Sequence, residues 1–413
     1  MYHLLIYVFV VLQAFVVCIP AMRFARFLFQ RSSPRPDFQP NAVIIIPCKG
    51  VDSSLEDAIR TLLFQEYKNY GVLFVTESTT DPAYAVIRRL IAVSPRPAEI
   101  VVAGLATDCG QKVHNLTFAV NALSRFYPSA EIIAFCDSDT RPQSDWLLNL
   151  VAPLANEEVG ATTGYRWFLP ANKRVEAFLL SAWNAQALFL FGDRSSFAWG
   201  GAMAMRRGDF EQWDVKRWWE GSVSDDGGVT NAVHTAGRRI QFVPRCVVLS
   251  PANVTVSSLL EFTNRQILLT RIYMPIAWRH IVTLTMYFSA ALLMAITFIA
   301  TLSQGGPNNT LAYVIPGIVM IALVALQGWL QASFAMQILV AQRYELWTLR
   351  WVFLLILPLV SVLVLWNVIV ACVSRRIMWR GVEYELIGPN QTSIRRFRNA
   401  PERSGASGCV AMD

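Results

Sequence analysis

The stretch from Ile281 to Gln342 contains no Asp, Glu, Lys or Arg, and it limits what the chain can fold into more than any other feature. It is broken only by Ser303-Gln304-Gly305-Gly306-Pro307-Asn308-Asn309, a turn signal, so it reads as two spans, 281–302 and 311–340. Each is long enough to cross a hydrocarbon core of about 30 Å, which takes about 20 apolar residues. A third run, 351–373, sits between Arg343, Glu345 and Arg350 on one side and Arg375 and Arg376 on the other. A buried soluble helix explains one such run, whereas three in succession predict membrane insertion.

The N-terminus repeats the pattern. Met1 to Met22 carries no charged residue and is followed by Arg23, Arg26 and Arg31. A cleaved signal peptide would place its basic residues before the apolar run, not after it. Residues 1–22 therefore read as a transmembrane helix with its N-terminus outside, delivering residue 23 onward to the cytoplasm. The expectation is an integral membrane protein with a cytoplasmic globular domain. Lys plus Arg number 36 against 29 Asp plus Glu, a net +7. Much of the excess adjoins apolar runs, as at a bilayer's cytoplasmic face. No compact basic and aromatic motif accompanies it, so no nucleic-acid partner is expected. Four crossings from an outside start would leave the basic tail, 374–413, outside. Its Arg375, Arg376, Arg380, Arg395, Arg396 and Arg398 argue for the inside. A re-entrant segment resolves the conflict, and Pro358 marks the last span as a candidate.

Apolar residues make up 54% of the chain and charged residues 16%, against about 25% charged in ordinary soluble domains, which excludes intrinsic disorder. The seven cysteines (18, 48, 109, 136, 246, 372, 409) contain no CxxC, and the four histidines (3, 114, 234, 280) show no metal-ligand spacing. Neither a disulfide framework nor a zinc site is implied.

Residues 40–256 read as an α/β domain. Ala42 to Pro47 is a buried strand, Leu55 to Phe64 an amphipathic helix, and Gly71 to Thr76, Glu99 to Ala103 and Glu131 to Cys136 are further strands. Alternation of strand and helix favours a parallel sheet, whose ligands bind beyond the carboxyl ends of the strands. The acidic clusters fall there. Asp137-Ser138-Asp139 follows the strand ending at Cys136. Such a pair can hold Mg²⁺ or Mn²⁺ together with substrate phosphates, or it is a solvated strand-end turn. Glu77 to Ala83, with Asp81, follows the second strand and can accept hydrogen bonds from a nucleotide. Gly110 to Leu116 offers a loop and Lys112, a cation suited to a diphosphate. Ser224-Asp225-Asp226-Gly227-Gly228 precedes a helix, where an Asp serves either as N-cap or as general base.

These pieces, in this order, resemble family 2 glycosyltransferases of the GT-A fold, most closely the ceramide glucosyltransferases. The matching stretches include Val43 to Gly50, Gln65-Glu66-Tyr67, Asp81-Pro82, Gly110 to Leu116, Asp137 to Asp139, Gly200 to Met203, Asp225-Asp226 and Trp379 to Tyr384. The resemblance implies an α/β GT-A domain with transmembrane helices. It implies transfer of a sugar, glucose in the ceramide case, from a UDP-sugar donor to a membrane lipid hydroxyl with inversion. It further implies Asp81, Lys112 and Asp137 on the donor, Asp137 and Asp139 on a divalent metal, Mg or Mn, and Asp226 as general base. Arg265, Gln266, Arg271 and Asp225 would contact acceptor or phosphate. The chemistry is consistent: an oxocarbenium-like transition state needs a neutralised leaving diphosphate and a carboxylate for the incoming hydroxyl.

One departure stands out. Where these enzymes carry an Arg-Trp pair after Arg or Gln and two variable residues, this chain has Leu268-Leu269 after Arg265. Leu can neither clamp phosphate nor stack on substrate. The surrounding segment, 257–279, mixes Leu259, Leu260, Phe262, Ile267 and Tyr273 with Arg265, Arg271 and Arg279. It reads as an interfacial amphipathic segment or as a helix packed on the domain. Two other functional classes share parts of the pattern: a processive polysaccharide synthase, which needs a channel and the Arg-Trp pair, and a non-catalytic membrane scaffold.

Overall fold

The computed structural model describes residues 2–29, 37–52, 54–191, 196–303 and 310–397. Arg31, the turn from Gln304 to Asn309 and the tail from Arg398, Cys409 included, lie outside the described residues. Helix α1 (Tyr2–Phe29) leads into the α/β domain: β1 (Ala42–Pro47), α2 (Leu55–Leu63), β2 (Tyr70–Thr76), α3 (Pro82–Ile91), β3 (Ala98–Val102), α4 (Gln111–Phe126), β4 (Ile132–Cys136) and α5 (Trp146–Val151). Then come β5 (Val159–Pro170), α6 (Val175–Ala185), β6 (Ala202–Arg206), α7 (Arg207–Gln212), α8 (Val215–Trp219), α9 (Asp225–Thr235) and β7 (Arg239–Ala252). Helices α10 (Val256–Tyr273), α11 (Pro275–Ser303), α12 (Thr310–Ile338) and α13 (Arg343–Val373) follow, and the strands β8 (Arg376–Trp379), β9 (Val382–Gly388) and β10 (Gln391–Phe397) end the described chain.

The main sheet has the order β3-β2-β1-β4-β6-β5-β7. Strands β3, β2, β1 and β4 are mutually parallel, and β6 runs antiparallel to both neighbours. The apolar run of β1 is buried on both faces, as a central parallel strand requires. Its period of two sends Ile44 and Ile46 into one core layer and Val43 and Ile45 into the other. The sheet is mixed where strand–helix alternation favours a parallel one, because β6 enters antiparallel between β4 and β5.

Among the described residues, Tyr7–Leu28, Ile315–Ile338 and Val340–Val373 are long and apolar enough to cross a membrane. The expected span 281–302 falls within α11. The first two of those helices are tied by Gln13, whose Nε2 donates to the Met320 carbonyl at 2.9 Å.

Helix α13 contains the span expected at 351–373 and also packs on protein. Phe353 stacks on Trp167 of β5 with centroids 6.2 Å apart. Asn367 accepts from Trp183 Nε1 at 3.1 Å and donates to Thr263 Oγ1 at 2.9 Å. Arg271 donates to the Ala371 carbonyl. At about 1.5 Å rise per residue, Phe353 and Ala371 are about 27 Å apart along the axis, and both touch the globular domain or α10. One of its faces (Leu346, Leu349, Phe353, Leu357, Val360, Leu363, Val368) is packed against α12 as well as the globular domain and α10.

Segment 257–279 forms most of α10 and the start of α11. Leu259, Phe262, Ile267 and Leu268 are buried against protein, so of the two readings the packed helix is the one observed. The region expected as a basic tail also folds, as a three-stranded antiparallel sheet, β10-β9-β8. It docks on the catalytic domain. Thr392 Oγ1 donates to the Gly221 carbonyl at 2.7 Å, Asn390 Nδ2 to the Glu220 carbonyl at 3.0 Å, and the Tyr384 hydroxyl accepts from the Gln111 amide at 3.2 Å. Gly221 has φ +62, and a Cβ there would lie 2.1 Å from the Asn390 oxygen, so only glycine allows this approach.

Candidate active site

Parallel pairing of β1 with β4 places the residues that follow them side by side. Pro47, Cys48 and Lys49 thus meet Asp137 and Ser138, with Gln111, Lys112 and Asn115 from the first turns of α4. The C-terminal sheet contributes Trp379, Arg380, Val382 and Tyr384 to the same pocket. Its open space, mouth included, is about 510 Å³, the scale of a small-molecule site.

The floor of the pocket is a buried charge network. Lys112 Nζ lies 2.7 Å from Asp137 Oδ1 and 3.2 Å from Asp225 Oδ1. Burial disfavours the ammonium, yet the two carboxylates outweigh it and hold the lysine charged, above its ordinary pKa. Burial pushes the Asp225 carboxyl well above the usual range while Lys112 pulls the other way. Asp225 Oδ2 is buried without a hydrogen-bond partner. Gly200 leaves it room: a Cβ there would lie 2.3 Å from that oxygen and 2.9 Å from Lys112 Nζ. Behind Asp137, the guanidinium of Arg166 grips Asp139 with two bonds, Nη1 to Oδ2 at 2.8 Å and Nη2 to Oδ1 at 2.6 Å.

Asp226 opens α9 beside Asp225. Its Oδ1 accepts from Ser224 Oγ at 2.5 Å and from the Gly227 amide at 2.8 Å, and Oδ2 from the Gly200 amide at 3.5 Å. The N-cap of α9 is Ser224, whose hydroxyl accepts from Gly227, so neither Asp is needed for that duty. Asp81 is not among the pocket-lining residues. It caps α3 through the Ala83 amide at 2.8 Å and accepts from the Gly50 amide at 2.9 Å, fixing the loop that carries Lys49. Lys49 in turn pairs with Glu77 at 2.8 Å.

Arg265 is buried, donates to the Met378 carbonyl at 3.3 Å and stacks over Trp379 at 5.2 Å. Arg271 is turned to the end of α13, and Gln266 is half-buried on α10. None of the three lines the pocket. Leu268 packs in the cluster beneath the C-terminal sheet, with Leu269 against it, which accounts for the missing Arg-Trp pair: at these positions the fold needs apolar packing.

Sequence reasoning missed Arg166, whose pairing depends on the sheet order bringing β5 near β4 and which gives no local signal inside an apolar strand. It also gave no role to Trp379, Arg380 and Tyr384, although they lie in a matched stretch.

A hard cation suits one or two carboxylates completed by substrate phosphates. Asp137 at the pocket wall fits that requirement. Asp139, expected as a second ligand, has both oxygens engaged by Arg166. Among the described residues no group of three His, Cys, Asp or Glu could hold a metal alone.

The family model for glycosyl transferase family 21 matches residues 5–391, and the chain belongs to that family. Ceramide glucosyltransferase 3 of Caenorhabditis elegans is 24% identical over 145 residues, 35% of this chain and 30% of that protein. The chain thus spans under a third of that relative's length. Two solved structures are similar. The mannosyltransferase of Pyrobaculum calidifontis in complex with GDP-Man and Mn²⁺ has TM-score 0.47 and 17% identity, covering 89% of this chain and 98% of that one. Glucosyl-3-phosphoglycerate synthase of Mycobacterium tuberculosis in complex with phosphoglyceric acid has TM-score 0.37 and 15% identity, covering 57% and 80%.

Proposed function

We propose that this glycosyltransferase moves a hexose, glucose in the first instance, from a UDP-sugar to the hydroxyl of a membrane lipid such as ceramide, inverting the anomeric centre. The observation that carries the reading is the meeting of Lys112 and Asp137 in one pocket with Asp226 beside it across Gly200. Lys112, held charged, neutralises the donor diphosphate. A divalent cation held by Asp137 and the donor's own oxygens would supply further charge neutralisation on the leaving group. Asp226, oriented by Ser224 and Gly227, takes the acceptor's hydroxyl proton as its oxygen bonds to the anomeric carbon and the bond to diphosphate breaks. Asp225 and Arg166 hold Lys112 and Asp139 in place. Asp81 supports the donor by shaping the Lys49–Gly50 loop.

The basic residues beside the first apolar run support a cytoplasmic active site. An outside N-terminus, with Arg23 and Arg26 following the first apolar run, puts the catalytic domain inside. The face of α13 turned from the domain exposes Trp347, Trp351, Leu355, Leu359, Trp366 and Ile369, an apolar stripe with tryptophans suited to the interface. The test is a screen of UDP-glucose, UDP-galactose and GDP-mannose against ceramide and diacylglycerol vesicles, read by product mass spectrometry. A single-hexose lipid product is expected. A polymer, or no product from any pairing, would refute the reading.

A further inference from the structure

The turn between β8 and β9 is built in a way that packing alone does not explain. Arg380 has φ +46 and Gly381 φ +78, so a large cationic side chain occupies a left-handed position that favours glycine or asparagine. Strained backbone of this kind persists where the side chain is needed. The position of Arg380 says for what. Arg380 lines the pocket that Lys112 also lines, the lysine proposed to meet the donor diphosphate.

The turn is also braced. Arg380 Nη1 donates to the Lys49 carbonyl at 3.2 Å, fastening it to the strand-end loop of β1. Trp379 lines the pocket, and Arg265 supports its ring from α10 at 5.2 Å while bonding the Met378 carbonyl. Tyr384, on the adjoining strand, caps the first amide of α4, the helix that carries Lys112. The hairpin is thus tied to two elements of the pocket, the β1 loop and α4, and to α10 behind it.

We infer that the Trp379-Arg380 turn is a subsite for the donor's diphosphate, with Arg380 contacting the β-phosphate and Trp379 walling the adjacent sugar. This rests on the proposed nucleotide-sugar reading and assigns to the C-terminal sheet a direct part in it. Guanidinium suits the role because it meets phosphate oxygens with paired, charge-assisted hydrogen bonds.

The test compares full-length wild type with Arg380→Gly and Arg380→Asn in detergent, measuring melting temperature and calorimetric binding of UDP and UMP with Mn²⁺. Both replacements suit the backbone, so each variant should melt at or above the wild-type temperature. UDP should bind about 10- to 100-fold more weakly, the loss expected for a charge-assisted contact, while UMP, lacking the β-phosphate, changes little. Equal UDP affinity in folded variants would overturn the subsite and leave the proposed function standing, as would a parallel loss for UDP and UMP. A wild type that binds no UDP would overturn the proposed function and the subsite together.

Discussion

Replacing Lys112 with methionine tests the charge network directly. The substitution keeps a similar stem and removes the ammonium that lies 2.7 Å from Asp137 and 3.2 Å from Asp225. Both carboxylates are buried, Asp225 at 2% exposure and Asp137 at 4%. Removing one partner of a buried ion pair costs about 3–5 kcal/mol. At about 2–4 °C per kcal/mol for a domain of this size, the melting temperature should fall by about 6–20 °C. The deficit should depend on pH. Asp225 already has a folded pKa above its unfolded value, and losing Lys112 raises it further. The folded state then binds the extra proton, so this part of the destabilisation is small below about pH 3, where both states are protonated, and grows as pH rises. Differential scanning fluorimetry of the purified protein at pH 5 and pH 8 provides the measurement. A methionine variant melting within about 2 °C of wild type at pH 8, or a deficit larger at pH 5, would refute the network as described.

Three further outcomes are expected. Asp226→Asn should cut turnover by about 10²- to 10⁴-fold with donor affinity nearly unchanged, and calorimetry beside an activity assay decides it. Asp137→Ala should abolish metal-stimulated turnover in a folded protein, whereas Asp139→Ala should lower stability by about 3–5 kcal/mol because it leaves the buried Arg166 guanidinium without its clamp; activity assays with and without chelator, alongside melting curves, separate the two. Brominated lipids should quench Trp351 and Trp366 at different depths, as a helix crossing beside α12 places them, and equal shallow depths would refute that crossing.

The sequence by itself determined what depends on neighbours along the chain. The apolar run of β1, the carboxylates just past β4 and the serine before Asp225-Asp226 are local patterns, and each lies where local physics puts it. The uncharged stretch from Ile281 announced membrane helices for the same reason. Only the tertiary structure decided matters that turn on distant partners. Arg166 finds Asp139 because β6 lies between β4 and β5 in the sheet. Leu268 is a packing residue because the C-terminal strands cover it. Helix α13 is apolar on both faces, and hydropathy does not distinguish a face covered by protein from one left open. Contact with Trp167, Trp183 and α10 makes that distinction, and the strands that follow α13 bring Trp379 and Arg380 to the pocket.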